Sequence, residues 1–337
     1  MPLSIHSFFP VTCLSEQLQR RPSYLAYLIL LCFLGFCTAR TPRLALATEN
    51  VAPGSSSQRD ISAWTRQGEL GELPQRTSDG LPLSDQNDQD QWTPYSPLTD
   101  EFNQAQLDTT RWVPRHLTWQ GRQPAWFSPQ NVHVTEGQLQ LTMKKEAAPK
   151  ELQARGYHTY SSAAVQAKQK VKYGYFEVRA QPMNSAGSSS FWFAGSGAGW
   201  RTEIDVFELG GKAKGHQNRY NMNLHVFNTP ESKEHWSEGS HWVAPWPLVE
   251  NFHVYGLDWS QNEIAYYVDG ILVRKVKNTH WQQPLYLIFD SETMPDWLGI
   301  PKDEDLPSTF RIDYIRTWKR GTPAEAKTER KPPNSVQ

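Results

Sequence analysis

Asn221-Met222-Asn223-Leu224-His225-Val226 alternates polar and apolar residues without exception. Successive side chains of an extended chain point to opposite faces, so Asn221, Asn223 and His225 share one face and Met222, Leu224 and Val226 the other. A strand with one apolar face has to bury it against a second layer. The same texture runs outward over Trp92 to Arg320. Gln138-Leu139-Gln140-Leu141-Thr142-Met143 alternates strictly, and Gly174 to Ala180 does so over most of its length. Further runs are Phe252–Leu257, Glu263–Val268, Leu285–Phe289 and Phe310–Trp318. Asp269-Gly270, between Tyr266-Tyr267-Val268 and Ile271-Leu272-Val273, is a strong hairpin turn. The region carries no helical stripe of convincing length. Many short antiparallel strands, each with one apolar face, predict an all-β sandwich of two packed sheets.

One strand breaks its own period. In Glu203-Ile204-Asp205-Val206-Phe207-Glu208, Glu203 and Asp205 share a face, while Ile204 and Val206 point into a core. Glu208 falls on the apolar face unless a bulge between Asp205 and Glu208 shifts the register, and bulges are frequent beside active sites. Three acids on one face repel one another and raise at least one pKa. That arrangement suits retaining glycoside hydrolysis, in which an ionised carboxylate attacks the anomeric carbon and a protonated one, roughly 5 Å away, protonates the leaving oxygen. Glu203 is then the nucleophile and Glu208 the acid/base, with Asp205 sharing a proton with Glu203 and keeping the two pKa values apart. An acidic surface strand or a calcium site would use the same oxygens, so spacing alone leaves three readings open.

The composition narrows the class. The chain has 337 residues and a formal net charge of -1, which gives no electrostatic footprint for nucleic acid. It contains 14 Trp, 13 Tyr and 14 Phe, a supply that suits a groove lined by flat rings. Candidate sugar platforms are Trp192, Trp200, Trp236, Trp242 and Trp281, each as well suited to a core. Asn223 and His225 lie on a polar face able to bond hydroxyls, with His225 placed to reach the acids. Gly210-Gly211-Lys212 lacks the context of a phosphate loop, and no cysteine or histidine cluster suits zinc.

Residues 1–47 read as an export signal with a long n-region. Arg20 and Arg21 precede the apolar run Tyr24–Phe36, and Ala39, Ala45 and Ala47 offer small-residue cleavage sites. The run is shorter than the ~20 residues of a membrane span, so no stable membrane insertion is expected after processing. Leu34-Gly35-Phe36-Cys37 resembles a lipoprotein site except for bulky Phe36 before the cysteine. All three cysteines, Cys13, Cys32 and Cys37, fall within this segment. Residues 48–91 are rich in Ser, Gly, Pro, Gln and Asp and read as a low-complexity linker, with a few residues such as Trp64 able to dock. A domain over 92–320 and a charged tail over 321–337 follow.

The bulged carboxylate strand resembles the E-x-D-x-x-E signature of glycoside hydrolase family 16, which includes bacterial β-agarases, porphyranases, κ-carrageenases and laminarinases. The resemblance runs from about Phe102 to Lys319. Its companions are Trp119-Gln120-Gly121-Arg122-Gln123-Pro124 with Asn131-Val132, Ser162-Ala163-Ala164-Val165, Tyr173-Gly174-Tyr175-Phe176-Glu177, Tyr255-Gly256-Leu257-Asp258-Trp259 and Tyr267-Val268-Asp269-Gly270. It implies a β-jelly-roll sandwich with a concave cleft, Trp192 within that cleft, His225 near the acid/base, and the three roles already assigned to Glu203, Asp205 and Glu208. It implies no catalytic cofactor, and a structural calcium on the convex face for which Asp313 is a candidate ligand. The 119–124 segment, the Trp-rich polar loops and His280-Trp281 look more like the agarase and porphyranase branch. The expected activity is therefore endo-hydrolysis of β-1,4 linkages in an agar-type galactan of a red-algal cell wall, by a monomer exported to the periplasm, outer surface or surroundings of a bacterium. Porphyran, κ-carrageenan and laminarin are the alternative substrates, with sulfate met by Arg179, Arg201 or Lys212. Transglycosylation and silent glycan binding are the remaining alternatives.

Overall fold

A computed structural model describes residues 62–321. The expected export signal and nearly all of the charged tail lie outside the described residues. Eighteen strands occur among the described residues. The first six are β1 (Ala63–Thr65), β2 (Trp92–Pro94), β3 (Trp112–Val113), β4 (Ala125–Phe127), β5 (Val132–Thr135) and β6 (Gln138–Lys145). Then come β7 (Tyr160–Val171), β8 (Gly174–Gln181), β9 (Ser188–Gly197), β10 (Trp200–Gly210), β11 (Arg219–Asn228) and β12 (Trp236–Ser237). The last six are β13 (Ser240–Val243), β14 (His253–Trp259), β15 (Glu263–Val268), β16 (Ile271–Lys277), β17 (Leu285–Glu292) and β18 (Ser308–Arg320).

The pairings resolve into two antiparallel layers. One runs β7-β17-β9-β10-β11, with β12 and β13 beyond. The other runs β5-β6-β18-β8-β14-β15-β16. Chain crosses from one to the other at β6 and β7, where Lys144 pairs with Ser161. This is the expected all-β jelly-roll sandwich. The hairpin between β15 and β16 turns at Asp269 and Gly270, whose φ angles of 48° and 79° are the two positive values a tight primed turn requires.

Aromatic rings fill the space between the layers. Phe193 of β9 meets Phe176 of β8 at 4.8 Å between centroids, and Phe207 of β10 meets Tyr255 of β14 at 4.7 Å. Each such fully buried side chain contributes about 1.5–3 kcal/mol relative to exposure. Because the inner face of β10 is locked into this core, its other face has a fixed register.

Of the segment expected as a low-complexity linker over 48–91, the described residues 62–91 dock on the domain more extensively than a few contacts. Ala63, Trp64 and Thr65 form β1 and pair with Val276, Lys275 and Arg274 of β16. Leu70 and Leu83 are buried, and Arg76 reaches the fully buried Glu177 in β8. A polar segment is held here because its few apolar residues and one arginine have partners waiting in the sheet. Trp64 itself remains 48% exposed. Among the described residues no helix is long and apolar enough to cross a membrane.

Candidate active site

β10 lies between β9 and β11, and its pairings fix the carboxylates. Glu203 stands opposite Ala194 and His225, and Asp205 opposite Trp192 and Asn223. The register then shifts after Asp205 against both neighbours, so that Glu208 stands opposite Ser190 and Asn221. Two consecutive residues, Val206 and Phe207, are both fully buried across the shift, and Ile204 before them is buried too. The bulge therefore returns Glu208 to the face of Glu203 and Asp205, and all three line one cavity of about 670 Å³.

Two further acids join them. Asp290 and Glu292 of β17 pair with Ser190 and Ser188 of β9 and are buried beside the first three. Trp192 donates its indole N–H to Asp290 Oδ2 at 2.7 Å, and Arg122 Nε donates to Glu292 Oε2 at 2.9 Å. Burial, and then the negative charge of Asp205, raise the pKa of Glu203 well above the ordinary glutamate range, with Arg201 and Arg122 pulling the other way. Burial raises Glu208 as well, and the next four influences, from Asp205, Glu292, Glu203 and Asp290, are all carboxylates that hold its proton on. Burial and Glu292 raise Asp290 in the same direction. Glu292 is pushed up to about 7 by burial, against the pull of Arg122.

The environments thus differ in kind. The charges acting most strongly on Glu203 include Arg201 and Arg122, whereas those acting most strongly on Glu208 are all acids, with Arg122 weaker there. His225 Nε2 lies 3.3 Å from Asp205 Oδ2, so its near contact is with the middle carboxylate of the strand. Ligand atoms of Glu203, Asp205 and His225 lie within 4.8 Å of one another, the one group of three potential metal ligands among the described residues.

Aromatic placement divides the tryptophans. Trp192 lines the cavity, stacked on His116 at 5.7 Å and 11°, with Trp119 edge-on at 6.4 Å. Trp242 does not belong to the cleft. It is 1% exposed and donates to the Gly68 carbonyl at 2.8 Å, because the lead-in segment covers it. Trp200 and Trp236 are half-buried against His280, and Trp236 also stands edge-on to Trp281; neither lines the cavity. Trp281 is fully buried and donates to the carbonyls of Glu203 at 2.8 Å and His225 at 3.2 Å. Asn223 sits opposite Asp205, yet its Oδ1 accepts from the Leu224 N–H and the side chain does not line the cavity.

The expected cations divide too. Arg179 lies in β8, in the other sheet, with Nη1 2.8 Å from Asp313 Oδ2, so it is not a cleft residue. Asp313 is engaged by that arginine rather than standing in an acidic cluster. Lys212 pairs with Asp305. Arg201 does line the cavity, over Phe227 at 4.4 Å, and Lys170 joins it over Tyr286 at 5.1 Å. Asp290 and Glu292 are not among the site residues expected from sequence. The i, i+2 spacing of Asp290 and Glu292 in an apolar run was an available signal, the same one that marks Glu203 and Asp205.

The model of the GH16 domain of beta-porphyranases A–D matches residues 92–320. The chain belongs to glycoside hydrolase family 16. Beta-porphyranase B of Zobellia galactanivorans is 28% identical over 253 residues, covering 68% of this chain and 85% of the relative. Kappa-carrageenase of Pseudoalteromonas carrageenovora is 24% identical over 67% of this chain and 64% of its own. The crystal structure of porphyranase B from Zobellia galactanivorans superposes with a TM-score of 0.61 at 27% identity, over 68% of this chain and 92% of that one. Membership in family 16 makes the protein an endo-acting O-glycoside hydrolase, whose relatives include porphyranases, a kappa-carrageenase and a glucan endo-1,3-beta-glucosidase.

Proposed function

We propose that this protein is a retaining endo-hydrolase of β-1,4 linkages in a sulfated agar-type galactan of the porphyran class. The observation that carries the proposal is the bulged face of Glu203, Asp205 and Glu208 in a cleft that also holds Arg122, Arg201 and Lys170. In the first step Glu203 attacks the anomeric carbon while Glu208 gives its proton to the departing glycosidic oxygen. A glycosyl-enzyme ester on Glu203 results. In the second step Glu208, now ionised, takes a proton from water, whose oxygen displaces Glu203 with net retention. The carboxylates around Glu208 favour its protonated form, and Arg201 and Arg122 favour ionised Glu203, which supports this division of labour. Asp205, with His225 Nε2 3.3 Å from its Oδ2, shares the charge rearrangement with Glu203.

The expectation from sequence is an agar-type galactan, with porphyran among the alternatives. Sulfate is favoured here because the expected cation Arg201 and two others face the cavity, and guanidinium and ammonium groups bind oxyanions well. Neutral agarose is the second reading, favoured by the Trp192, His116 and Trp119 platform, which needs no charge on the sugar. Polymers of this size are met outside the cell, which favours an exported protein. No metal takes part in the proposed steps.

The test is product analysis of residues 62–321 with porphyran, agarose, κ-carrageenan and laminarin, beside E203Q and E208Q. Oligosaccharides from porphyran alone, absent with either variant and released with retained anomeric configuration by NMR, are the expected result. Cleavage of agarose but not porphyran would overturn the sulfate assignment. Inverted products would overturn the mechanism.

A further inference from the structure

Three nearly parallel rings cluster where the cleft meets solvent. Phe227, in the cavity lining, lies 4.6 Å from His235 at 10° and 5.5 Å from His225 at 12°. The two imidazoles are 5.3 Å apart at 22°, and Nδ1 of His225 lies 3.1 Å from Nε2 of His235. The other nitrogen of His225 faces Asp205 Oδ2 at 3.3 Å. A continuous row therefore runs from exposed His235 through His225 to the buried middle carboxylate of β10.

His235 is placed by an ordered loop. Thr229 N donates to Ser232 O at 2.8 Å, and Glu234 N donates to Ser232 Oγ at 3.1 Å. Immediately afterwards Trp236 pairs with Val226 and packs edge-on against Trp281. His235 is thus held between a structured turn and an anchored strand.

The row matters because an imidazole has two possible tautomers and two flipped orientations. Asp205 is 4% exposed, and its Oδ2 accepts no well-aligned hydrogen bond, so His225 Nε2 at 3.3 Å is the polar group that faces it. If the His225 ring turned over, a carbon would face that oxygen and leave a buried carboxylate without compensation. A partner on Nδ1 prevents the turn, as outer hydrogen bonds fix metal-bound histidines.

We propose that His235 is a positioning residue, which holds the His225 ring with Nε2–H toward Asp205 and so fixes which polar atom faces the carboxylate between Glu203 and Glu208. Desolvation, and then the neighbouring His225 and Arg201, lower the pKa of His235, which favours the uncharged ring able to bond Nδ1 of His225. The proposal rests on the hydrolase reading for its effect on turnover but not for its effect on His225.

Two variants separate the hydrogen bond from the stack. His235→Phe keeps a flat ring on Phe227 and loses the bond; His235→Gln keeps a polar atom for Nδ1. Imidazole NMR of protein labelled with ¹⁵N-histidine should show His225 as one tautomer, protonated at Nε2, in the wild type and in H235Q, and as a mixture in H235F. On whichever polysaccharide the wild type cleaves, kcat of H235F should fall roughly 10- to 100-fold with KM little changed, the scale known for orienting partners of metal-bound histidines. H235Q should recover most of that loss. Identical His225 spectra in wild type and H235F would overturn the proposal, and so would an unchanged kcat in H235F. Because the spectra need no substrate, a wild type that cleaves nothing would tell against the hydrolase reading alone.

Discussion

The indole N–H of Trp281 donates to the carbonyl oxygen of Glu203 at 2.8 Å, and the same N–H reaches the His225 carbonyl at 3.2 Å. One buried side chain thus ties together the two strands that carry the proposed nucleophile and its neighbouring histidine. The tie acts on backbone, so it sets where both side chains leave the sheet. Trp281→Phe keeps most of the ring volume but leaves two carbonyls short of a donor. What is lost is one indole N–H shared between them, so the cost is that of about one unsatisfied buried group, about 1–3 kcal/mol. Urea unfolding should show a loss of about 1–3 kcal/mol, and kcat should fall more than KM rises. A variant as stable and as active as the wild type would show that the tie is incidental.

Glu292 lends itself to a pH test. Its charge is among those that keep Glu208 protonated, and its own pKa is pushed up to about 7 by burial. Replacing it with Gln removes one negative charge from the field and frees Arg122, which also acts on Glu208. Both changes lower the pKa of Glu208. An acid must be protonated to work, so the basic limb of kcat/KM should move to lower pH in E292Q. The stability effect has the same origin. A carboxyl whose folded pKa lies above its unfolded value stabilises fully below the unfolded value, and that contribution is lost as pH rises through about 7. Thermal unfolding of the wild type should therefore weaken between about pH 4.5 and about pH 7, and E292Q should flatten that slope.

The carboxylate strand was readable because Ile204, Val206 and Phe207 permit only one way to bury the apolar residues and keep three acids together. Alternation at Asn221–Val226 placed His225 on the same side for the same reason, since period two is a local property. Asp290 and Glu292 carry the same spacing, but only their pairing with Ser190 and Ser188, about a hundred positions away, brings them to the cleft. Trp242 misleads for the opposite reason. Its neighbours Ser240 and His241 are polar, yet the group that buries it is Gly68, 174 positions earlier. Long-range closure of this kind leaves no periodic trace, and residues 62–91 looked like linker because their apolar contacts are few and far apart in sequence.

Arg201 gives the sharpest test of substrate. Its guanidinium sits over Phe227 in the cavity lining, exposed to whatever occupies the cleft. A hydrogen bond to a charged group contributes about 1.5–3 kcal/mol, or roughly tenfold or more in binding. Arg201→Ala should raise KM for a sulfated galactan by about that factor, with a smaller rise for neutral agarose. The difference between the two polymers should shrink as salt is added, since partly exposed charges are screened. Equal losses on both polymers would assign Arg201 to the wall of the cleft rather than to sulfate.

The lead-in segment is expected to be part of the folded enzyme. Glu177 is fully buried in β8, where Arg76 pairs with Oε1, Tyr314 donates to Oε1 at 3.0 Å, and the Leu83 N–H donates to Oε2 at 2.7 Å. Two of these three partners come from residues 62–91, before the matched domain begins. Removing one partner of a buried ion pair costs about 3–5 kcal/mol, because the remaining charge has no compensation. Arg76→Ala should lie toward the lower end of that range, since Tyr314 and Leu83 still bond the carboxylate. A chain beginning at residue 92 loses Leu83 as well, and uncovers Trp242 by removing Gly68. It should be less stable than R76A in urea. Adding Glu177→Gln to the shorter chain should recover part of the loss, because a neutral amide is cheaper to bury than an unpaired carboxylate. Equal stability of residues 92–321 and 62–321 would show that the segment packs on the sheet without holding it.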